Sequence, residues 1–390
     1  MRIGYFTFTN IRIAETFILD LIKGLEKRCE LLWYSGEKSI EEKIADRQIA
    51  LAYSPYGSKI SGILYKLGQL KGNNGYFWRM RWYLFLAGRR LRRLKEEDMP
   101  DVAYTEFLTT AILLREFLEK NSIPYIVHVH AYDITSELND PAYRREIKKV
   151  FASASYIVSP SDYIKKLLIL EGAPPQKVKT VRLGIDSEGI VPMDWEKRLA
   201  FGPSVLFLGR LVEKKGPVPL IYAFDIVKKR IPEAKLTIIG DGNLRKRIER
   251  LIERLGLEDS VILKGALKRE ESFPIMNRHW VYAQHSITTR SGDKEGAPVS
   301  ISEASAHALP IVSTIHSGIP EQVIDGETGF LVQECDYEAM AERIVYLLEN
   351  PEIAAKMGRA ARAHIESINR PEERIEKIYA LLENIYKGKS

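Results

Sequence analysis

The sequence predicts an α/β protein made of two doubly wound, Rossmann-like domains. Three observations carry that prediction. A chain of 390 residues is long enough for two domains and too long for one comfortable core. Short β-branched or aromatic runs alternate with helical periodicity at βαβ spacing from residue 2 to about 181. After an aperiodic, proline-containing stretch at 187–200, the alternation starts again at 204. The expected division is 1–190, 201–368, and a helix over 369–390 that returns to the first domain.

Taken in order, RIGYFTFT at 2–9 reads as the first strand, 14–27 as a helix and 30–34 as the second strand. The loop after a first parallel strand faces the ligand crevice. Glu15 and Thr16, at the helix start beyond it, are therefore acceptor-side candidates, with a first-turn glutamate complementing the helix dipole as the alternative. Residues 38–50 have helical spacing. Strands are expected at 102–105 and 124–130, the latter ending in His130, Ala131, Tyr132, Asp133. His130 just past a strand end is placed to donate to a substrate hydroxyl, and Asp133 to orient it or cap the next helix. His128, two residues back, shares its side of the strand. Further strands fall at 156–159 and 178–181, with 187–200 as the linker.

In the second half, strands are expected at 204–208, 236–239, 261–264, 280–283, 310–314 and 329–332. Helices are expected at 217–229, 244–255, 274–277, 298–307, 337–349, 352–366 and 371–386. Glycines 209, 240 and 242 stand at strand ends and Gly216 before a helix, where a ligand or another backbone approaches closely.

Between the expected halves of the first domain lies a segment of different composition. From 55 to 99 there are ten Lys or Arg and three acidic residues, with Tyr76, Phe77, Trp78, Trp82, Tyr83 and Phe85 interleaved. This suits an interfacial amphipathic helix at an anionic membrane; the alternative is an insertion packed on its own domain with a solvated basic face. No nucleic-acid reader motif accompanies the charge, so nucleic acid is not expected. Cys29 and Cys335 do not form a disulfide framework, and no run is apolar enough to span a bilayer. MRIGYFTF at the start reads as strand rather than leader. The expected location is the cytoplasm, peripheral on the membrane if 55–99 binds lipid.

The chemistry concentrates in two stretches. Arg210 and Lys215 follow the strand at 204–208, a forked guanidinium and a point charge suited to a diphosphate. Glu295 and Glu303 bracket Gly296, Ala297, Pro298 and Val299, where a loop opens a small-residue helix, a good place to hold phosphate and sugar. Neither GxGxxG nor GxxxxGK[ST] occurs in the first loops, no His/Cys spacing marks a zinc site, and no GxSxG elbow is present.

On these residues the chain resembles the retaining glycosyltransferases of family 4, which have the GT-B architecture. The resemblance is carried by Glu295-Gly296-Ala297-Pro298 through Glu303-Ala304, by Gly318-Ile319-Pro320-Glu321, and by Asp325-Gly326-Glu327-Thr328-Gly329-Phe330. Gly209-Arg210 with Glu213-Lys214-Lys215-Gly216 is the second element. Ala14-Glu15-Thr16-Phe17 and His316-Ser317-Gly318 look most like the capsule, colanic-acid and amylovoran exopolysaccharide subgroup. The resemblance implies two Rossmann-like domains facing across a deep cleft, the first for the acceptor and the second for the donor. It implies transfer of a hexosyl group from a UDP- or GDP-sugar to a glycan or polyprenyl-linked saccharide, with neither metal nor cofactor. Arg210 and Lys215 would neutralise the leaving diphosphate. Glu295 would contact the transferred sugar and Glu303 the ribose, while backbone near Gly296, Ala297, Pro298 and Val299, with Gly209 and Gly240, would line the donor. His130 would touch the sugar as the cleft closes, its carbonyl favouring an oxocarbenium-like transition state. Two departures stand out: Ala131 where the family usually has glycine, and Gln284-His285-Ser286 where it has Pro-Ser. A non-catalytic nucleotide-sugar binder, or a phosphorylase or epimerase of the same fold, is the alternative.

Overall fold

The computed structural model describes residues 1–7, 16–35, 47–50, 91–187 and 189–388. They form two compact units, Met1–Arg182 with Pro371–Ser390, and Leu183–Arg370.

The first unit holds a seven-stranded, wholly parallel sheet. In chain order its strands are β1 (Arg2–Phe6), β2 (Glu30–Ser35), β3 (Arg47–Ala50), β4 (Val102–Glu106), β5 (Tyr125–His128), β6 (Tyr156–Ser159) and β7 (Val178–Thr180). Their order across the sheet is β3-β2-β1-β4-β5-β6-β7. Helices α1 (Thr16–Glu26), α2 (Leu108–Lys120), α3 (Pro141–Ser153) and α4 (Asp162–Leu170) connect them. Both faces are buried, as parallel sheets require. Phe6, Ala103, Tyr125 and Val127 pack with α2, α3 and α4 on one face. On the other, Ile3, Tyr5, Val102 and Tyr104 pack with Ile18, Leu21 and Ile22 of α1. The same face takes Ile378 and Leu382 of a helix from the far end of the chain, Pro371–Lys387.

The second unit holds a six-stranded parallel sheet: β8 (Ser204–Leu208), β9 (Lys235–Ile239), β10 (Val261–Gly265), β11 (Val281–Ala283), β12 (Ile311–Thr314) and β13 (Gly329–Val332), in the order β10-β9-β8-β11-β12-β13. Its helices are α5 (Trp195–Leu199), α6 (Pro217–Arg230), α7 (Arg245–Leu255), α8 (Arg269–Met276), α9 (Val299–Ala306), α10 (Tyr337–Glu349) and α11 (Pro351–Ile368). The returning helix, Pro371–Lys387, is α12. Pro217 opens α6 at a position where its missing N–H costs nothing. Gly256, at φ 66°, ends α7 in the left-handed region.

Two expectations need correction, and a third lies mostly outside the described residues. Residues 47–50 are not helical but form edge strand β3, paired in parallel with β2 from Leu32↔Arg47 to Ser35↔Ala50; strand pairing outweighs local helical spacing. Residues 187–200 do not behave as a free linker. Ile190 packs with Ile185, Ala306 and Ile365, and the fully buried Arg198 on α5 donates to the carbonyls of His307 and Ala308 at 2.9 and 3.2 Å. Residues 183–190 accordingly cluster with the second unit, not the first. Most of the basic aromatic segment lies outside the described residues. Of its end, Leu91 is buried and packs in the first unit's core with Leu94 and Met99, while Arg92 and Arg93 are exposed. No described helix is long and apolar enough to cross a membrane.

Candidate active site

In each sheet the strand order reverses once, between β1 and β4 and between β8 and β11. Ligands of open α/β sheets bind beyond the carboxyl ends of the strands at such switch points. In the second unit the loops leaving β8 and β11 carry Arg210–Lys215 and Glu295 respectively. These are the stretches singled out in the sequence, now side by side.

The loop after β8 turns on glycine. Gly216 has φ 61°, and a Cβ there would sit 1.6 Å from the His285 carbonyl oxygen, on the facing loop. That contact lets the two loops run together: Ile287 N–H donates to the Lys214 carbonyl at 3.1 Å, and Lys214 Nζ reaches Asp293 at 3.1 Å. Gly240, at the end of β9, is as confined; a Cβ would lie 1.9 Å from the Gly209 carbonyl oxygen.

Lys215 Nζ pairs with Glu295 Oε2 at 3.3 Å, both side chains nearly buried. Burial pulls Lys215 below its ordinary value against the attraction of Glu295. Burial pushes Glu295 up, but the charges of Lys215 and then Lys214 outweigh it and hold the carboxylate below its usual range. The other oxygen, Oε1, is buried without a protein hydrogen-bond partner. Arg210 is exposed at the same loop, close enough for its charge to act on Lys215. Gly296, Ala297 and Val299 are half-buried and Pro298 buried, forming the connection from Glu295 into α9. Glu303, one turn into α9, accepts from Arg269 Nε and Nη2 of α8 at 3.2 and 3.1 Å. Burial raises its pKa and Arg269 opposes the rise.

The Gln284-His285-Ser286 departure resolves into two faces of one strand end. His285 turns into the core against Met340 Sδ of α10 at 3.4 Å, and burial lowers it to about 4, so it is neutral. Gln284 faces the other way. Its Oε1 accepts from Tyr282 and Ser300 hydroxyls at 2.9 and 3.1 Å, and its Nε2 donates to Ser286 Oγ at 2.7 Å. It thus ties β11 to the start of α9.

In the first unit His130 follows β5, and its ring Nε2 lies 2.8 Å from Glu106 Oε2 at the end of β4. Glu106 is fully buried. Its Oε1 accepts from the Tyr5 hydroxyl, and His128 Nδ1 lies 3.4 Å from Oε2 and 2.8 Å from the Tyr104 hydroxyl. Burial raises Glu106, but His128 and then His130 outweigh it and hold it well below the carboxylate range. Burial lowers His128 to about 4. Asp133 caps the same turn: its Oδ2 accepts from His130 N–H at 3.0 Å, and its own N–H donates to the His130 carbonyl at 3.1 Å. Fully buried, Asp133 is pushed up to about 7 by desolvation. Phe107 and Phe17 flank the His130 ring, and Arg374 of α12 lies over Phe17 and donates to its carbonyl at 2.7 Å. Glu15 lies outside the described residues, and of Thr16 only the start of α1 is described.

Glu106, His128 and His130 also form a possible metal-ligand group, with donor atoms within 4.8 Å of one another. Here the facing atoms already bond to each other or to Tyr5 and Tyr104, and the Arg374 charge acts on His128. The arrangement fits a hydrogen-bonded network that fixes His130 better than a cation site.

Sequence reasoning missed Glu106 and Arg269, and gave His316 no role in the site. Glu106 had a usable signal, since it is the residue just past the expected strand 102–105 at the switch point. Arg269 had none, because its partner is 34 residues away.

The Glycosyltransferase Family 4 model matches residues 14–188, and the Glycosyl transferases group 1 model matches 199–364. The chain belongs to glycosyltransferase family 4. Among relatives, a protein named for colanic acid biosynthesis, WcaL of Salmonella typhimurium, is 34% identical over 215 residues, 55% of this chain and 53% of its own. The amylovoran biosynthesis glycosyltransferase AmsK of Erwinia amylovora is 32% identical over 238 residues, 61% of this chain and 58% of its own. The family 4 chain thus spans somewhat more than half the length of these curated relatives. They support its place in the exopolysaccharide subgroup. Its fold is that of the GT-B enzymes: Anabaena Alr3699/HepE, solved in complex with UDP and glucose, superposes with a TM-score of 0.76 at 20% identity, over 98% of this chain and 100% of that one.

Proposed function

We propose that this family 4 chain is a retaining, metal-independent hexosyltransferase. It moves a hexosyl group from a UDP- or GDP-sugar to a glycan or polyprenyl-linked saccharide of an exopolysaccharide. The observation that carries the reading is the Lys215–Glu295 pair at the switch point of the second sheet, with Glu295 Oε1 buried and unpartnered. A charged oxygen kept dry and free of protein donors is suited to receive a sugar hydroxyl. Lys215 and Arg210 supply the positive charge that a departing nucleoside diphosphate needs, the part a divalent cation plays in other transferases. Glu303, steadied by Arg269, takes the ribose hydroxyls, and Gly209, Gly240 and residues 296–299 give the backbone room to approach the donor. In the first domain, His130, oriented by Glu106 and Asp133, contacts the transferred sugar, and Glu15 and Thr16 lie on the acceptor side. Relatives named for colanic acid and amylovoran biosynthesis support the acceptor class. A cytoplasmic enzyme that meets an anionic membrane through residues 55–99 fits a lipid-linked acceptor.

Thermal shift with UDP-, GDP- and ADP-sugars tests the donor, since a ligand bound only by the folded state raises the melting temperature by mass action. One nucleotide is expected to stand out. Turnover of that donor should fall by roughly a hundred-fold or more in Glu295→Ala and in Lys215→Ala. Wild-type rates in both variants would sink the reading, and binding without any turnover would make the chain a non-catalytic binder.

A further inference from the structure

We infer that His316 is a positioning residue for the peptide that carries Glu295, acting as a neutral imidazole with its proton on Nδ1. The inference rests on the reading of Glu295 given above.

The loops that follow three neighbouring strands, β11, β12 and β13, meet here. Glu295 N–H, in the loop after β11, points at His316 Nε2, after β12, at 3.0 Å. A backbone N–H can only donate, so Nε2 must offer its lone pair. On the opposite side of the ring, His316 Nδ1 lies 2.6 Å from Glu334 Oε1, after β13. Glu334 is itself fixed by two donors from Thr288, the N–H to Oε2 at 2.7 Å and the hydroxyl to Oε1 at 3.1 Å. A carboxylate so surrounded accepts, so Nδ1 carries the hydrogen. The two contacts together leave one tautomer, and the carboxylate partner selects it. His316 is 1% exposed, so water is not at hand to replace either contact.

The next residue completes the clamp: Ser317 Oγ donates to the Glu295 carbonyl. Both peptide groups of Glu295 are therefore gripped by consecutive residues of one loop. The side chain above them has one oxygen on Lys215 and one with no protein partner. Where that second oxygen points is set by the position of its own backbone, which is what His316 holds. His316 touches no reacting atom in this scheme.

Two measurements test this. With the seven histidines labelled in ¹⁵N, His316, assigned by its loss in His316→Gln, should show a protonated Nδ1 and an accepting Nε2. An Nε2–H tautomer or an imidazolium at neutral pH overturns the inference. The second compares His316→Gln, which keeps an acceptor, with His316→Phe, which keeps the ring alone. Released UDP from UDP-glucose or GDP from GDP-mannose reads turnover. In His316→Phe kcat should fall by roughly 10- to 100-fold, the cost of a misplaced group. Thermal shifts with UDP or GDP alone should stay near wild type, and His316→Gln should recover most of the rate. Equal losses in both variants would refute positioning through the acceptor. If Glu295→Ala keeps its turnover, or neither sugar is turned over, the functional reading fails instead, and the tautomer measurement still decides the role of His316.

Discussion

Asp133 and Glu106 are both fully buried in the first unit, yet their surroundings drive them in opposite directions. At Asp133 the backbone donors of His130 and Leu108 oppose desolvation only in part, and Oδ1 has no partner, so desolvation dominates and its carboxyl rises to about 7. Glu106 is desolvated as well, but two histidines outweigh that and keep it charged. The consequence for Asp133 follows from linkage. Its folded pKa lies above the unfolded value of about 3.9, so the folded state holds the extra proton between. The stabilisation is complete below about pH 4 and is lost as pH rises to about 7. Asp133→Asn keeps the oxygen that accepts from His130 but cannot ionise. Denaturant midpoints from pH 4 to 8 should therefore show the wild type losing a few kcal/mol relative to the variant over that window. A difference independent of pH would rule this out. At this scale the sequence was partly legible: His130 and Asp133 follow a strand and announce themselves. Tyr5 and Arg374, which act on the same histidine cluster, come from β1 and α12, and nothing local marks them as its neighbours.

Elements explain which parts of the site could be foreseen. Among the described residues, twelve of the thirteen strands were legible because each apolar run is bounded by turn residues, a local signal. Strand β3 was not, because Arg47–Ala50 owes its conformation to pairing with β2. Helix α5 was hidden for a similar reason, as Arg198 finds its carbonyl partners 109 and 110 residues away. The loop after β8 was legible by its glycines, though not the reason for Gly216. Gly216→Ala places a methyl group in the His285 carbonyl and adds the cost of a left-handed alanine, about 1 kcal/mol by itself. The two loops must then part, with Lys215 and Glu295 on opposite sides of the gap. The expected outcome is a lower melting temperature together with weaker donor binding, read by thermal shift with and without the nucleotide. An unchanged melting temperature would show that the loop relaxes freely.

At the scale of the whole molecule, the chain leaves the first unit, builds the second and comes back. The outgoing and returning segments run together at the crossing, where Ile185 N–H donates to the Asn369 carbonyl at 3.0 Å. Because they are that close, a short Gly/Ser linker can join residue 184 to residue 370. The joined chain, lacking the second unit, should unfold cooperatively in urea. Residues 1–184 alone should not, because Ile378 and Leu382 are missing from the face that covers β1 and β4. Equal cooperativity in both would show that α12 is dispensable.

The path of α12 also bears on how the protein is made. Residues 183–370, the whole second unit, are synthesised before any of α12. The first sheet, covered on one face only in part by α1, waits for residues 371–387, almost two hundred residues beyond Arg182. During that interval the part of β1 and β4 that Ile378 and Leu382 will cover is open to whatever is near it, so the earliest sheet to be made is the last to be sealed. A chaperone that binds nascent apolar strands has its longest opportunity there.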